Sequence, residues 1–399
     1  MKCGRGKRFM RNQKTVGAVA FLHPFWFEFE RRRYEEGTVP SHRLWGQIEI
    51  ERLGRSTMLC PQAPCYFSFA GDIGWRLWQA LWVWRNQEQL AACVAVHEIS
   101  ALGSCILARL GLMRVPIILI NFGLTHARQV QGFRRLLWRW ALGSAACVIS
   151  LARAQTQKVE RFFRVPPARQ RLFLMPVDID FVDRINSQRD EFSSGLAAQI
   201  IKGGSFGIAV GTNDGKDFET LLEAWPLGER LIIVTDSYNA RLIRMHRCFG
   251  HGIEVYESVP MPQLCRLYQA AKVVVIPLKD SSHGSGHTVL VENMALGNLI
   301  VVSASSSMAD YVQDRVNAFS VPVGDVQRLR QVIEAIICEP ERFEGVRFEA
   351  ANHARAHFSS KRFGRLLSDL IGELESKNAG AHVDSCSLEM GSVAMTDGR

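Results

Sequence analysis

Residues 273–303 read VVVIPLKDSSHGSGHTVLVENMALGNLIVVS. An apolar run, Val273–Pro277, has the length and β-branched content of a strand buried on both faces. A loop of Gly, Ser and His follows, then a helical pattern over Val289–Leu296 and a second buried strand, Leu299–Ser303. Strand, helix and strand in this order form a βαβ unit of a parallel sheet. The loop leaves backbone N–H groups free at the start of a helix, where anionic oxygens bind. Gly284 and Gly286 permit close approach, Ser285, His287 and Thr288 carry further donors, and Glu292 lies one turn inside, able to accept from two neighbouring hydroxyls of a ribose. The same pattern also fits a plain crossover with a flexible loop.

The alternation extends outward in both directions. Towards the C-terminus come helices at Val326–Cys338, 346–357 and 361–374. Upstream lie strand Phe206–Val210, helix Asp217–Ala224, strand Leu231–Thr235 and helix Met261–Ala270. Before a polar, Ser- and Gly-rich stretch, Asn186–Gly204, a first half repeats the pattern: strands at Val16–Leu22, Leu90–Val96, Pro116–Ile120 and Ala146–Ser150, and helices at Ser41–Leu53, Leu102–Leu110 and near 130–142. Ser41 is suited to cap its helix. The reading is α/β with two doubly wound, Rossmann-like domains facing across a cleft. Its boundaries are a basic arm 1–14, an N-terminal domain 15–185, a linker 186–204, a C-terminal domain 205–360, a C-terminal helix 361–376 and an unstructured tail 377–399. Ligands of such sheets bind at the carboxyl ends of the strands.

With 399 residues, 47% hydrophobic and 22% charged, the chain is long enough for two ordinary cores. Its ten Cys stand singly, without CxxC or an adjoining His cluster, as expected of reduced thiols in the cytosol. Val16–Leu22 reads as a first buried strand, not a signal peptide, because His23-Pro24 interrupts the run and Glu28–Arg33 is densely charged. No apolar run reaches the roughly 18 residues that span a bilayer, so the chain is expected to be cytoplasmic. The net charge of +9 is uneven: 28 Lys and Arg face 15 acids over 1–192, against 20 and 24 over 193–399. Within 100–177, twelve basic residues accompany a single acid, Glu160. That pattern fits either a solvated face or a surface for an anionic partner such as a membrane.

SGHTVLVENMALGNLIVVS resembles the sugar-donor motif of retaining family 4 glycosyltransferases, which have the GT-B fold. VGTNDGKDFETLLEAW (210–225), VPMPQLCRLYQAAKVVVIP (259–277) and the segment Val148–Phe181 are similar to the family's flanking motifs. The resemblance implies transfer of a hexose from a nucleotide diphosphate sugar to a glycan or lipid-linked acceptor, without cofactor or metal. It implies Lys216 and the backbone of Gly286, His287 and Thr288 on the pyrophosphate, Glu292 on the ribose, and the backbone near Val259 on the base. Two positions depart from it: Gly284 stands where the family commonly has a further Glu near the transferred sugar, and Thr212 where it has Arg. Related subgroups with an SGQ loop also lack that Glu. The departures leave open a catalytically degenerate sugar-nucleotide-binding protein, and the fold also admits an epimerase.

The N-terminal half offers no His in Ile120–Leu124, where many relatives have one. His42 and His97 are the catalytic candidates, with His23 and Glu98 at other strand ends. Phe133, Leu136, Leu137, Trp140 and Ala141 form one helical stripe, with Arg128, Arg135 and Arg139 opposite and Trp138 beside them. Trp75, Trp78, Trp82 and Trp84 crowd a second segment between Arg76 and Arg85. Both stripes fit packing against the sheet, and both fit peripheral attachment to an anionic membrane. No nucleic-acid-binding module accompanies them.

Overall fold

Fully apolar strands bury both faces in each half of the chain, and each half forms a six-stranded, all-parallel sheet. The structure, a computed structural model, describes residues 17–24, 27–62, 71–126, 129–187, 195–212, 215–280 and 284–392, with backbone alone at 71–73 and 378–392. The basic arm 1–14, Arg128, 188–194 of the expected linker and 393–399 of the expected tail lie outside the described residues.

The N-terminal sheet has the order β2-β1-β3-β4-β5-β6. Its strands are β1 (Ala18–Leu22), β2 (Thr57–Leu59), β3 (Leu90–Val96), β4 (Ile117–Asn121), β5 (Cys147–Ser150) and β6 (Gln170–Leu172). Its helices are α1 (Phe27–Glu35), α2 (Gln47–Arg52), α3 (Gly71–Asn86), α4 (Glu98–Arg109), α5 (Gly132–Ala141) and α6 (Arg153–Phe163). On one face of this sheet α3, α4, α5 and α6 lie side by side over a core that includes Val83, Cys105, Trp138 and Val159. Two helices, α7 (Ile179–Ser187) and α8 (Leu196–Lys202), lead to the second domain. Part of the expected linker is therefore helical: Ala197 and Ile200 of α8 are buried.

The second sheet has the order β12-β11-β10-β7-β8-β9. It comprises β7 (Gly207–Val210), β8 (Leu231–Thr235), β9 (Ile253–Glu257), β10 (Val273–Ile276), β11 (Ile300–Ser303) and β12 (Phe319–Val321). Its helices are α9 (Phe218–Ala224), α10 (Ser237–Arg244), α11 (Met261–Ala270), α12 (His287–Ala295), α13 (Val326–Cys338) and α14 (Glu344–His357). Helix α15 (Ser360–Ser392) returns to the N-terminal domain and packs on α2. The contact is close: a Cβ on Gly364 would lie 2.1 Å from Glu49 Cβ. This helix continues past 377, where an unstructured tail was expected; no proline interrupts it.

The helix expected over Ser41–Leu53 is broken. A single 3₁₀ turn, Ser41–Leu44, stops at Trp45 and Gly46, both left-handed (φ 50° and 87°), before α2 begins. Ser41 caps nothing; its hydroxyl donates to Glu49 Oε1 at 2.6 Å. The break turns His42 and Arg43 towards the second domain. One apolar cluster then runs through both halves, from Phe21 and Val94 to Ile208 and Val274.

Candidate functional site

Strand order in the second sheet reverses at β7, which has β8 on one side and β10 on the other. Loops leaving β7 and β10 part to opposite faces and open a crevice at their carboxyl ends. The first loop carries Gly211, Thr212 and Lys216; the second carries Gly284, Ser285 and Gly286. Lys216 is drawn against the end of β10 by a bridge to Leu278, and the Asp217 N–H donates to Pro277 O at 3.1 Å. Its stem crosses Gly211, where a Cβ would lie 2.0 Å from Lys216 Cε, so only glycine leaves it room. Nζ ends beside Gly286, the left-handed residue (φ 81°) that starts α12; a Cβ there would lie 3.2 Å away.

Lys216 is 5% exposed, and its Nζ has no hydrogen-bond partner among the described residues. Burial lowers its pKa from 10.5 to about 8. A buried, unpaired ammonium next to the positive end of a helix is a site short of an anion. This sets a pH dependence. Below pH 8 the cation is present, and a bound phosphate group raises its pKa further. Above that value the free protein must take up a proton to bind. Affinity for an anion held there should therefore fall with rising pH above about 8, by at most about tenfold per pH unit. Calorimetry at pH 8 in buffers of different ionisation enthalpy should register proton uptake that is absent in Lys216→Met. Equal heats in both buffers would discard the assignment.

Glu292, on the second turn of α12, is buried and meets His42 from the other domain: His42 Nε2 lies 3.2 Å from Glu292 Oε1, across 250 residues of sequence. The Asp178 N–H donates to His42 Nδ1 at 3.0 Å, so Nδ1 accepts and Nε2 is left to donate to the carboxylate. Asp178 in turn accepts from Ser41 N–H at 2.7 Å and from Phe181 N–H at 3.1 Å. His42 thus has both ring nitrogens engaged and holds Glu292 in place.

The remaining expected residues divide. Gly284, Gly286, Thr288 and Glu292 line one cleft of about 290 Å³ together with Lys216. Ser285 is buried beside them. The His287 ring also faces the cleft, but its Nε2 donates to Ser307 O at 2.9 Å and it packs 4.7 Å from Tyr311, so that nitrogen is not a donor to a ligand as expected. Val259 is half-buried in the loop before α11 and stands outside the cleft walls, which take Met261, Leu264 and Tyr268 from that helix. Arg43, Phe122, Leu151 and Met175 close the cleft from the N-terminal domain, and none of them was singled out from the sequence. Arg43 had a signal in its neighbour His42. The other three are strand-end and loop residues with no motif of their own.

His97 follows β3, next to β1 at the switch point of the first sheet. It has a positive φ of 83°, and its ring stacks on Phe122 at 5.6 Å and 8°. Burial lowers its pKa, against the smaller raising effect of Glu98, whose Oε2 lies 3.1 Å from Nδ1. The ring is thereby neutral at pH 7. Glu98 also accepts from Gly123 N–H at 3.0 Å and so shapes the loop that carries Phe122. His23 lies after β1, where its ring meets Phe27 edge-on at 4.9 Å. Gly284, the departure from the family pattern, faces Gln155 of the first domain: a Cβ there would lie 3.6 Å from Nε2.

Two parallel sheets facing across this cleft define a GT-B fold. Residues 207–339 match the family described as Glycosyl transferases group 1. Among curated relatives, D-inositol 3-phosphate glycosyltransferase 1 of Catenulispora acidiphila is 32% identical over 119 residues, 30% of this chain and 28% of that protein. The match therefore spans well under half of the relative's length. Sucrose-phosphate synthase from Thermosynechococcus elongatus has a similar structure, with a TM-score of 0.69 at 14% identity, covering 90% of this chain and 100% of that one. The Anabaena protein HepE in complex with UDP-glucose gives 0.63 at 14% identity, covering 89% and 99%. Among the described residues no helix is long and apolar enough to cross a membrane.

Proposed function

We propose that this protein is a glycosyltransferase that moves a hexose from a nucleotide diphosphate sugar to a glycan or lipid-linked acceptor, with retained anomeric configuration. The observation that carries the reading is Lys216, a buried ammonium with no partner among the described residues, beside the start of α12, with Glu292 one turn further on. Lys216 and the N–H groups of Gly286, His287 and Thr288 hold the pyrophosphate and stabilise the charge that grows on it as the sugar–phosphate bond breaks. Glu292 accepts from the ribose hydroxyls, with His42 as its positioning residue. His97, stacked on Phe122 of the cleft wall, is proposed to face the acceptor. The leaving phosphate assists deprotonation of the acceptor, so positioning and charge stabilisation supply most of the rate. The match to the group 1 family, and a fold neighbour that holds UDP-glucose, support this reading. Gly284 and Thr212 favour a second one, a protein that binds a sugar nucleotide without turning it over. Incubation with UDP- and GDP-hexoses decides: glycoside formed only when an acceptor is present supports transfer, and ligand-induced thermal stabilisation without turnover supports binding alone. Release of free nucleotide with an altered sugar would point to an epimerase.

The reaction is proposed to need no divalent metal, because Lys216 and the helix start supply the positive charge that a metal would bring. Transfer should persist in excess EDTA. Activity abolished by EDTA and restored by Mg²⁺ or Mn²⁺ would refute this.

A further inference from the structure

Helix α5 turns its apolar stripe outward. Trp138 and Ala141 pack into the core, with Trp138 Nε1 donating to Gln129 Oε1 at 3.1 Å, while Phe133, Leu136 and Trp140 are 76%, 55% and 41% exposed. At 100° per residue, Phe133, Leu136 and Trp140 fall on one face, with Arg134 on one side and Arg135 and Arg139 on the other. None of these three Arg makes an ion pair with a described residue. The same helical layer carries a second outward stripe: Leu77, Leu81 and Trp84 of α3, at i, i+4 and i+7, followed by Arg85. Helix α4 lies between the two, and Leu110 and Leu112 after it are also exposed. A soluble surface seldom gathers so many large apolar side chains without a partner.

We propose that this layer of the N-terminal domain docks on an anionic lipid bilayer, with Phe133, Leu136 and Trp140 entering the headgroup boundary and the flanking Arg on lipid phosphates. Charge complementarity selects the partner, since Arg134, Arg135 and Arg139 border the α5 stripe and Arg85 follows that of α3. Leu77, Leu81 and Leu136 suit an acyl boundary and gain nothing from a nucleic-acid backbone. An amphipathic helix flanked by cations lies in the interface and does not span it. The proposal stands apart from the catalytic reading, because neither stripe contributes to the cleft.

The test is co-sedimentation of the full chain with vesicles of phosphatidylcholine alone and of phosphatidylcholine with phosphatidylglycerol. Wild type should pellet with the anionic vesicles, at least about tenfold more than with neutral ones, and should be released as salt approaches about 1 M. Phe133→Ser, Leu136→Ser and Trp140→Ser together should abolish pelleting. Arg134→Glu, Arg135→Glu and Arg139→Glu together should weaken it by about a hundredfold or more. Both variants alter exposed side chains and should keep the thermal stabilisation by sugar nucleotide, which separates loss of docking from misfolding and from failure of the catalytic reading. Wild type that ignores anionic vesicles at low salt, or binds both kinds equally, overturns the proposal. So does a wild-type dimer in sedimentation velocity that the triple Ser variant dissolves while vesicles are ignored, for that face would then join two copies.

Discussion

Lys216→Met should give a protein at least as heat-stable as its parent that no longer responds to a nucleotide diphosphate sugar. The ammonium is buried without a partner among the described residues, and its pKa is depressed from 10.5 to about 8. The unfolded chain therefore holds that proton more tightly than the fold does, and between about pH 8 and 10.5 stability rises with pH. At neutral pH the charged group costs the fold about 3 kcal/mol, which an unbranched apolar side chain of similar volume removes. On the proposed reading the same charge faces the donor pyrophosphate as it takes up negative charge, and loss of one such preorganised group lowers kcat by about 10²–10³. Two measurements check this: the melting temperature with and without UDP- or GDP-hexose, and single-turnover transfer. A variant that melts much lower than wild type without ligand, or that keeps full transfer, would overturn the role.

The second large effect belongs to Glu292. A charge-assisted hydrogen bond contributes about 1.5–3 kcal/mol, so Glu292→Ala should weaken sugar-nucleotide affinity by about tenfold or more. His42→Ala leaves the carboxylate in place but unanchored. It should raise the KM for the sugar nucleotide several-fold with little change in kcat, and add almost nothing to Glu292→Ala in a double-mutant cycle. Unchanged affinity in a folded Glu292→Ala protein would remove the ribose role. A His42→Ala enzyme that loses kcat with KM intact would instead make His42 a catalytic group.

Much of this was legible in the sequence, for a physical reason. Strands buried on both faces of a parallel sheet carry continuous apolar runs, so β3, β7, β8, β10 and β11 stand out without any alternation. The three-residue edge strands β2, β6 and β12 lack such runs and take their place from pairing with a neighbour. Helical spacing persists across the left-handed break at Trp45 and Gly46, so the pattern over Ser41–Leu53 does not reveal it. For α5, spacing identified an apolar stripe but not which way it turns. That is decided by Trp138 from beyond the stripe and Ala141 from its edge, the two buried residues of the helix. The Lys216 and Glu292 loops could be read locally. The His42–Glu292 contact joins two domains through chain geometry and leaves no local mark.

The return of α15 onto the first domain means that the chain passes between the two halves twice. The passes are joined to each other: Val177 N–H donates to Phe358 O at 2.7 Å, and Ser360 N–H to Val177 O at 2.8 Å. One tether would leave the halves free to swivel, whereas two stitched together make a book spine. Pages on a spine part at the fore-edge. Clasps set close to the spine resist that parting: His42 to Glu292, Arg153 to Asp310 and the Tyr311 hydroxyl to Leu151 O at 2.6 Å. Any gaping of the cleft must undo these clasps while the spine keeps its bonds. The residue that grips the ribose in our reading is thus also a latch, and a ligand that drew Glu292 away from His42 would loosen the cover over itself.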